Sequence, residues 1–185
     1  MKKIQIGQVV SKRGFLTIES KQLHVPDRDR LVHLQFRRFA GCPFCSVHLH
    51  SFVRRRAELA AAGVTEVILF RSTAAELRKH YDAMPFAIVA DANGKFYSEF
   101  GVATGLRSIL SMRPLLTALP NVVRNLPKLP GIPRSGQGLL GLPADFLISP
   151  DGHILALNYG RHADDQWSVD ELLLLAREHT AVLLN

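Results

Sequence analysis

Between Leu31 and Tyr81 the apolar spacing changes period three times, which restricts the fold more than any other feature of the sequence. Residues 31–39 repeat every second position, with Val32, Leu34 and Phe36 on one face, as a strand does. From the cysteines at 42 and 45 to about Ala62 the pattern suits a helix, with Gly63 placed to end it. Val64–Phe70 is short, apolar and β-branched, the composition of a buried strand. Thr73-Ala74-Ala75-Glu76 matches a capping box, so a second helix runs to about Tyr81. Strands alternating with helices imply a parallel core sheet covered on both faces.

The flanking segments add antiparallel strands. Upstream, residues 15–18 and 23–25 read as short strands before the Pro26-Asp27-Arg28-Asp29 turn. Downstream, residues 86–90 form a strand, Asn93-Gly94 a hairpin turn and residues 95–97 its return. Residues 145–149 and 153–158 flank Pro150-Asp151-Gly152 as a second hairpin, and Ser168-Val169-Asp170-Glu171 caps a last helix through 172–178. The chain of 185 residues is read as one domain, 1–185, large enough to bury a core without a disulfide or a structural metal. The fold class is α/β: a three-layer sandwich around a mixed central sheet.

Regularity breaks at residues 105–142, which hold five prolines and five positive charges (Arg107, Arg113, Arg124, Lys128 and Arg134) but no acidic residue. We expect a helix near 106–112, then an irregular insertion that packs its leucines on the domain as a cover over or beside the functional site.

The two cysteines lie in one tetrapeptide, Cys42-Pro43-Phe44-Cys45. A disulfide there closes almost no loop and so stabilises little. At the junction of a core strand and its helix, this spacing is the thioredoxin-type placement and points to redox chemistry. With Cys42 as N-cap, Pro43 suits N1, where its missing N–H had no partner. The Cys42 sulfur is then expected to accept from the N–H groups of Phe44 and Cys45, and the helix dipole, with Arg37 and Arg38 just upstream, favours its thiolate. Cys45, one turn inside, is the less exposed, resolving thiol. Zinc is the rival reading, with His48 and His50 completing a set. Those two histidines point about 200° apart on a helix, and structural zinc usually draws its second pair of ligands from a distant segment. Neither metal nor cofactor is expected.

The stretch Leu34-Gln35-Phe36-Arg37-Arg38-Phe39-Ala40-Gly41-Cys42-Pro43-Phe44-Cys45, with His48-Leu49, resembles the peroxiredoxin-like branch of the alkyl hydroperoxide reductase / thiol-specific antioxidant family. Met84-Pro85-Phe86, Ala90-Asp91, Tyr97, Phe100-Gly101-Val102 and Leu142-Pro143-Ala144-Asp145-Phe146-Leu147-Ile148 extend the likeness over most of the chain. The resemblance implies a thioredoxin fold, Cys42 as the nucleophilic or peroxidatic cysteine, Cys45 as its partner, and Pro143 as a cis-proline facing them. Pro43, Phe44, Arg37 and Arg38 would shape the site. The proline and threonine that family members carry seven and three residues before the peroxidatic cysteine are Gln35 and Phe39 relative to Cys42, or Arg38 and Cys42 relative to Cys45. Dithiol exchange needs only the pair and its helix.

The expected activity is thiol-disulfide exchange or peroxide reduction, with an external thiol as reductant; the alternative is a non-enzymatic redox sensor or binding module acting through the basic insertion. A homodimer is compatible with either. The net charge of +7 and the run Arg54-Arg55-Arg56 read as a basic surface rather than a nucleic-acid site. No run of 18 apolar residues suggests a membrane span, and the first eight residues lack a signal-peptide pattern, so the expectation is a cytoplasmic protein. His33 and Gln35 interrupt the central strand beside Arg37. They read as satisfied buried or edge positions in preference to a polar floor under the cysteines. Asp164-Asp165 read as complementing a helix dipole, and Trp167 as core.

Overall fold

The computed structural model describes residues 3–102 and 141–183. In chain order these form β1 (Arg13–Leu16), β2 (Gln22–Val25), β3 (Leu31–Arg37), α1 (Pro43–Arg54), α2 (Arg56–Ala61), β4 (Val64–Phe70), α3 (Ala74–Tyr81), β5 (Ala87–Ala90), α4 (Lys95–Glu99), β6 (Ala144–Ile148), β7 (Ile154–Tyr159) and α5 (Val169–Leu183). The insertion expected at 105–142, with its helix near 106–112, lies outside the described residues except for its last two positions.

The central sheet has five strands in the order β5-β4-β3-β6-β7, and β1-β2 is a separate two-stranded hairpin. β3 is the middle strand. It pairs in parallel with β4 (Leu31 opposite Val64, His33 opposite Glu66) and antiparallel with β6 (Gln35 opposite Asp145). The parallel neighbour needs a crossover, which α1 and α2 supply. The mixed sheet expected from the alternation and the hairpins is therefore present.

All seven residues of β3 are buried, so both of its faces carry packed layers. Val32, Leu34 and Phe36 enter an apolar cluster with Phe15, Tyr97, Phe100 and Phe146 beneath the hairpin and α4. Phe36 meets Tyr97 and Phe146 edge-on at 4.9 and 5.6 Å, pairs worth about 0.5–1.5 kcal/mol each beyond their buried area. On the opposite face, Leu31, Val64 and Leu147 pack with Phe52, Leu59, Leu172 and Ala176 of α1, α2 and α5.

Two local expectations are corrected. Residues 95–97 are not a returning strand but the start of α4, because the Asp91 carboxylate accepts from the backbone N–H groups of Lys95, Phe96 and Tyr97. Gly94, at φ 68°, makes the left-handed step that turns the chain into that helix. The helix expected from the cysteines to Ala62 is two helices: Arg55 leaves helical geometry at φ −110°, ψ 19° and pairs with Glu58 and Asp170. The capping boxes at Thr73/Glu76 and Ser168/Glu171 both form.

Candidate active site

β3 delivers its chain end to Gly41, whose φ of 74° reverses the backbone immediately before Cys42. A side chain there would be strained in that region, so the glycine fixes the approach to α1. Cys42 takes the N-cap with extended geometry, and Pro43 opens the helix, as expected. The side chains of Pro43 and Phe44 lie outside the described ones.

The expected capping bonds to the Cys42 sulfur are absent; Cys42 makes no side-chain cap hydrogen bond. Its sulfur instead meets the thiol of Cys45. That hydrogen bond, followed by burial and the charge of Cys42, holds the Cys45 thiol well above its ordinary range, against the Arg38 backbone N–H and the Arg37 charge. Cys45 therefore stays protonated and donates. The two cysteines are not joined by a disulfide. Cys45 is not the less exposed of the two: Cys42 has 0% of its surface accessible and Cys45 1%. They sit in a cluster with Phe39, Ala40, Leu49, Phe70 and Tyr81. Burial pushes the Tyr81 phenol up, and the sulfurs of Cys45 and Cys42 reinforce the shift.

Between the two apolar clusters on this face runs a buried polar seam. His33 contacts Glu66 Oε2 through Nδ1 at 2.8 Å and Asp145 Oδ1 through Nε2 at 3.2 Å. Burial alone would lower its pKa, yet the two carboxylates raise it to about 9, so the ring is an imidazolium donating at both nitrogens. Arg37 Nη2 donates to Asp145 Oδ1 at 2.7 Å and to Gln35 Oε1 at 2.6 Å, and Gln35 Nε2 donates to Glu66. Against its burial, Arg37 and His33 hold the Asp145 carboxyl far below the usual carboxylate range. His48, one turn beyond Cys45, is pushed down to about 3 by burial and by Arg37, and its neutral Nε2 lies 3.2 Å from Arg37 Nη2. His33 also stacks on Phe52 and Trp167.

The reading of His33 and Gln35 as satisfied buried positions holds. Both arginines bear on Cys45, Arg37 through its charge and Arg38 through its backbone N–H, while the Arg38 guanidinium lies 5.5 Å over the Phe39 ring. Sequence reasoning missed Glu66 and Asp145. The available signal was that each is the one charged residue in an otherwise uncharged buried strand, which demands a partner. His48 is half-buried in the seam, whereas His50 is exposed.

Pro143 is buried at the entry to β6, but its preceding bond is trans, correcting the cis expectation. Val25–Pro26 is the cis bond among the described residues. The Pro143 carbonyl accepts from Gly160 N at 2.9 Å, which extends the β6–β7 ladder by a step that the ordinary trans chain provides. Asp165 does not serve a helix dipole: it accepts from Arg161 N and Asn158 Nδ2 and so closes its own loop. Among the described residues no group of three or more His, Cys, Asp or Glu is arranged to hold a metal, and no helix is long and apolar enough to cross a membrane.

The family model for AhpC/TSA antioxidant enzyme matches residues 51–162. That stretch begins in α1, after Cys45, and runs past β7. No curated protein matches the chain. Among solved structures, it is similar to peroxidoxin BcpB from Mycobacterium tuberculosis, at 18% identity and a TM-score of 0.69, covering 95% of this chain and 97% of that one. It is also similar to peroxiredoxin Q from Xanthomonas campestris (14%, TM-score 0.63, 90% of each chain). A third likeness is to a putative thiol:disulfide interchange protein DsbE from Chlorobium tepidum (16%, TM-score 0.60, 98% and 99%). These likenesses agree with the thioredoxin-like sandwich read from the sequence.

Proposed function

From the premise that this chain belongs to the AhpC/TSA antioxidant enzyme family, we propose that its thiol-dependent redox activity runs through Cys42 and Cys45. Cys42 is the nucleophile and Cys45 the resolving thiol. The observation that carries this division is the place of Cys42 at the N-cap of α1, ahead of Pro43 and at the positive end of the helix dipole, with the Cys45 thiol beside it held well above its ordinary range. A donated hydrogen bond favours the anion on its acceptor and the neutral thiol on its donor.

With a hydroperoxide, the Cys42 thiolate attacks the distal oxygen, the O–O bond breaks, and the departing alkoxide takes a proton from water. The Cys45 sulfur then attacks the resulting sulfenic acid, its proton leaves with the hydroxyl as water, and the Cys42–Cys45 disulfide forms. With a disulfide substrate, Cys42 forms a mixed disulfide and Cys45 displaces the second thiol. In both cycles an external thiol supplies the two electrons that restore the pair. Because Cys42 is fully buried, a local opening of the turn around Gly41 precedes attack. The cytoplasm, where thiols are kept reduced, is the compartment that fits this cycle.

Steady-state turnover of hydrogen peroxide, an organic hydroperoxide and a mixed disulfide identifies the substrate. Cys42→Ser is expected to abolish turnover, whereas Cys45→Ser traps a sulfenic acid or mixed disulfide on Cys42, visible by mass spectrometry. Retained turnover in Cys42→Ser, or faster alkylation of Cys45 than of Cys42 in the reduced protein, overturns the assignment.

A further inference from the structure

The fold divides the basic run at 54–56. Arg55 turns to Glu58 and Asp170 in ion pairs of 2.7 and 2.5 Å. Arg54 and Arg56 make no ion pair among the described residues. With Arg30 they line a cavity of about 560 Å³ between α2, the start of β4 and residues 85–87. Arg30 Nη2 donates to the Ala60 carbonyl at 2.8 Å, which fixes its guanidinium on the cavity wall.

Glu66 also lines this cavity, and its side chain is only 1% exposed. Its Oε2 is taken by His33 and Gln35, but its Oε1 is buried without a hydrogen-bond partner among the described residues. A buried carboxylate oxygen without a donor is costly, and a donor brought to it recovers that cost. Leu59, Val64 and Phe86 provide apolar wall between the acid and the arginines. The volume falls in the usual range for small-molecule sites, about 300–1,000 Å³.

We propose that this cavity binds a small molecule carrying an anionic phosphonate-, phosphate- or carboxylate-type group at one end and an N–H donor at the other. The anion is held by Arg30, Arg54 and Arg56, and the donor reaches Glu66 Oε1. The site is separate from the redox pair. It lies at the starts of β4 and β5, whereas the cysteines follow the end of β3, which runs parallel to β4. Along α1, Arg54 stands roughly 14 Å from Cys45 at the rise of a helix. Binding here does not depend on the assignment of Cys42 and Cys45.

Titration of the full chain at low salt with 2-aminoethylphosphonate, followed by calorimetry and by amide shifts at Ala57, Ala60 and Phe86, tests the site. Saturable binding is expected, and R54A/R56A, a surface substitution, should weaken it about tenfold or more. Ethylphosphonate, which keeps the anion and lacks the amine, should bind at least about fivefold more weakly to the native chain. Glu66→Gln should narrow that gap between the two ligands; if this variant fails to fold, the comparison on the native chain decides. Absence of saturable binding, or equal affinity in R54A/R56A, overturns the site. Equal affinity for the two phosphonates overturns the role of Glu66.

Discussion

On one face of β3, Val32, Leu34 and Phe36 pack into the aromatic cluster of Phe15, Tyr97, Phe100 and Phe146. On the other, His33, Gln35 and Arg37 meet Glu66, Asp145 and His48, with as little exposure as their apolar neighbours. The apolar face holds the strand by area removed from water, a force without direction that tolerates adjustment. The polar face holds it by directional hydrogen bonds and ion pairs, in which the loss of Arg37, Glu66 or Asp145 strands a buried charge. That difference teaches where the site's requirements enter the fold. The seam is the face that carries a positive charge toward Cys45, and it is the less forgiving of the two.

Removing one carboxylate gives the largest contrast. Asp145→Asn is close to isosteric but leaves Arg37 and His33 without their shared counter-charge, and should cost about 3–5 kcal/mol of unfolding free energy. Ile148→Val, three residues along the same strand but on the apolar face, should cost only about 0.5–1.5 kcal/mol. Urea denaturation of both variants checks the ratio; equal losses would mean that the seam is held by packing alone.

The next effect is a pH dependence with two opposite slopes. His33 has its pKa raised to about 9, so its contribution is complete below about pH 6.5 and is lost as pH rises through 9. His48 is pushed down to about 3, so its contribution is complete above about pH 6.5 and is lost as pH falls toward 3. Stability should therefore peak near neutrality, with His33→Gln flattening the alkaline limb and His48→Gln the acid limb. The alkaline limb is worth on the order of 3 kcal/mol. Melting curves from pH 4 to 10 read both, and an alkaline limb unchanged in His33→Gln would refute the charged state of that ring.

The smallest expected stability change comes from the most drastic replacement. Converting His33, Gln35, Arg37, Glu66 and Asp145 together to apolar residues of similar volume should leave stability level or higher, because no charge remains to be desolvated. Cys45 should then alkylate more slowly, having lost the Arg37 charge that opposes its raised pKa. Iodoacetamide kinetics on the Cys42→Ser background isolates that thiol, and an unchanged rate would separate the seam from the cysteine pair.

β4 falls where its β-branched run places it, and α3 begins at the capping box written in Thr73 and Glu76, because both signals are local. The Cys-Pro-Phe-Cys tetrapeptide stands at the strand–helix junction because the change of period marks that junction and Pro43 tolerates only the first turn there. The hairpin read at Asn93-Gly94 failed where a carboxylate three residues earlier in the chain than Gly94 captured the next backbone N–H groups.

The sequence by itself determined the alternation of strand and helix between residues 31 and 81, the junction that carries the cysteines and the starts of the capped helices. These depend on spacings of two to four residues. Only the tertiary structure decided that His33 meets Glu66 and Asp145, that the Arg37 charge reaches Cys45, and that Pro143 is trans. Those outcomes depend on the register of three strands drawn from residues 31–37, 64–70 and 144–148. Register is settled by the packing of both sheet faces at once, and no local spacing encodes it.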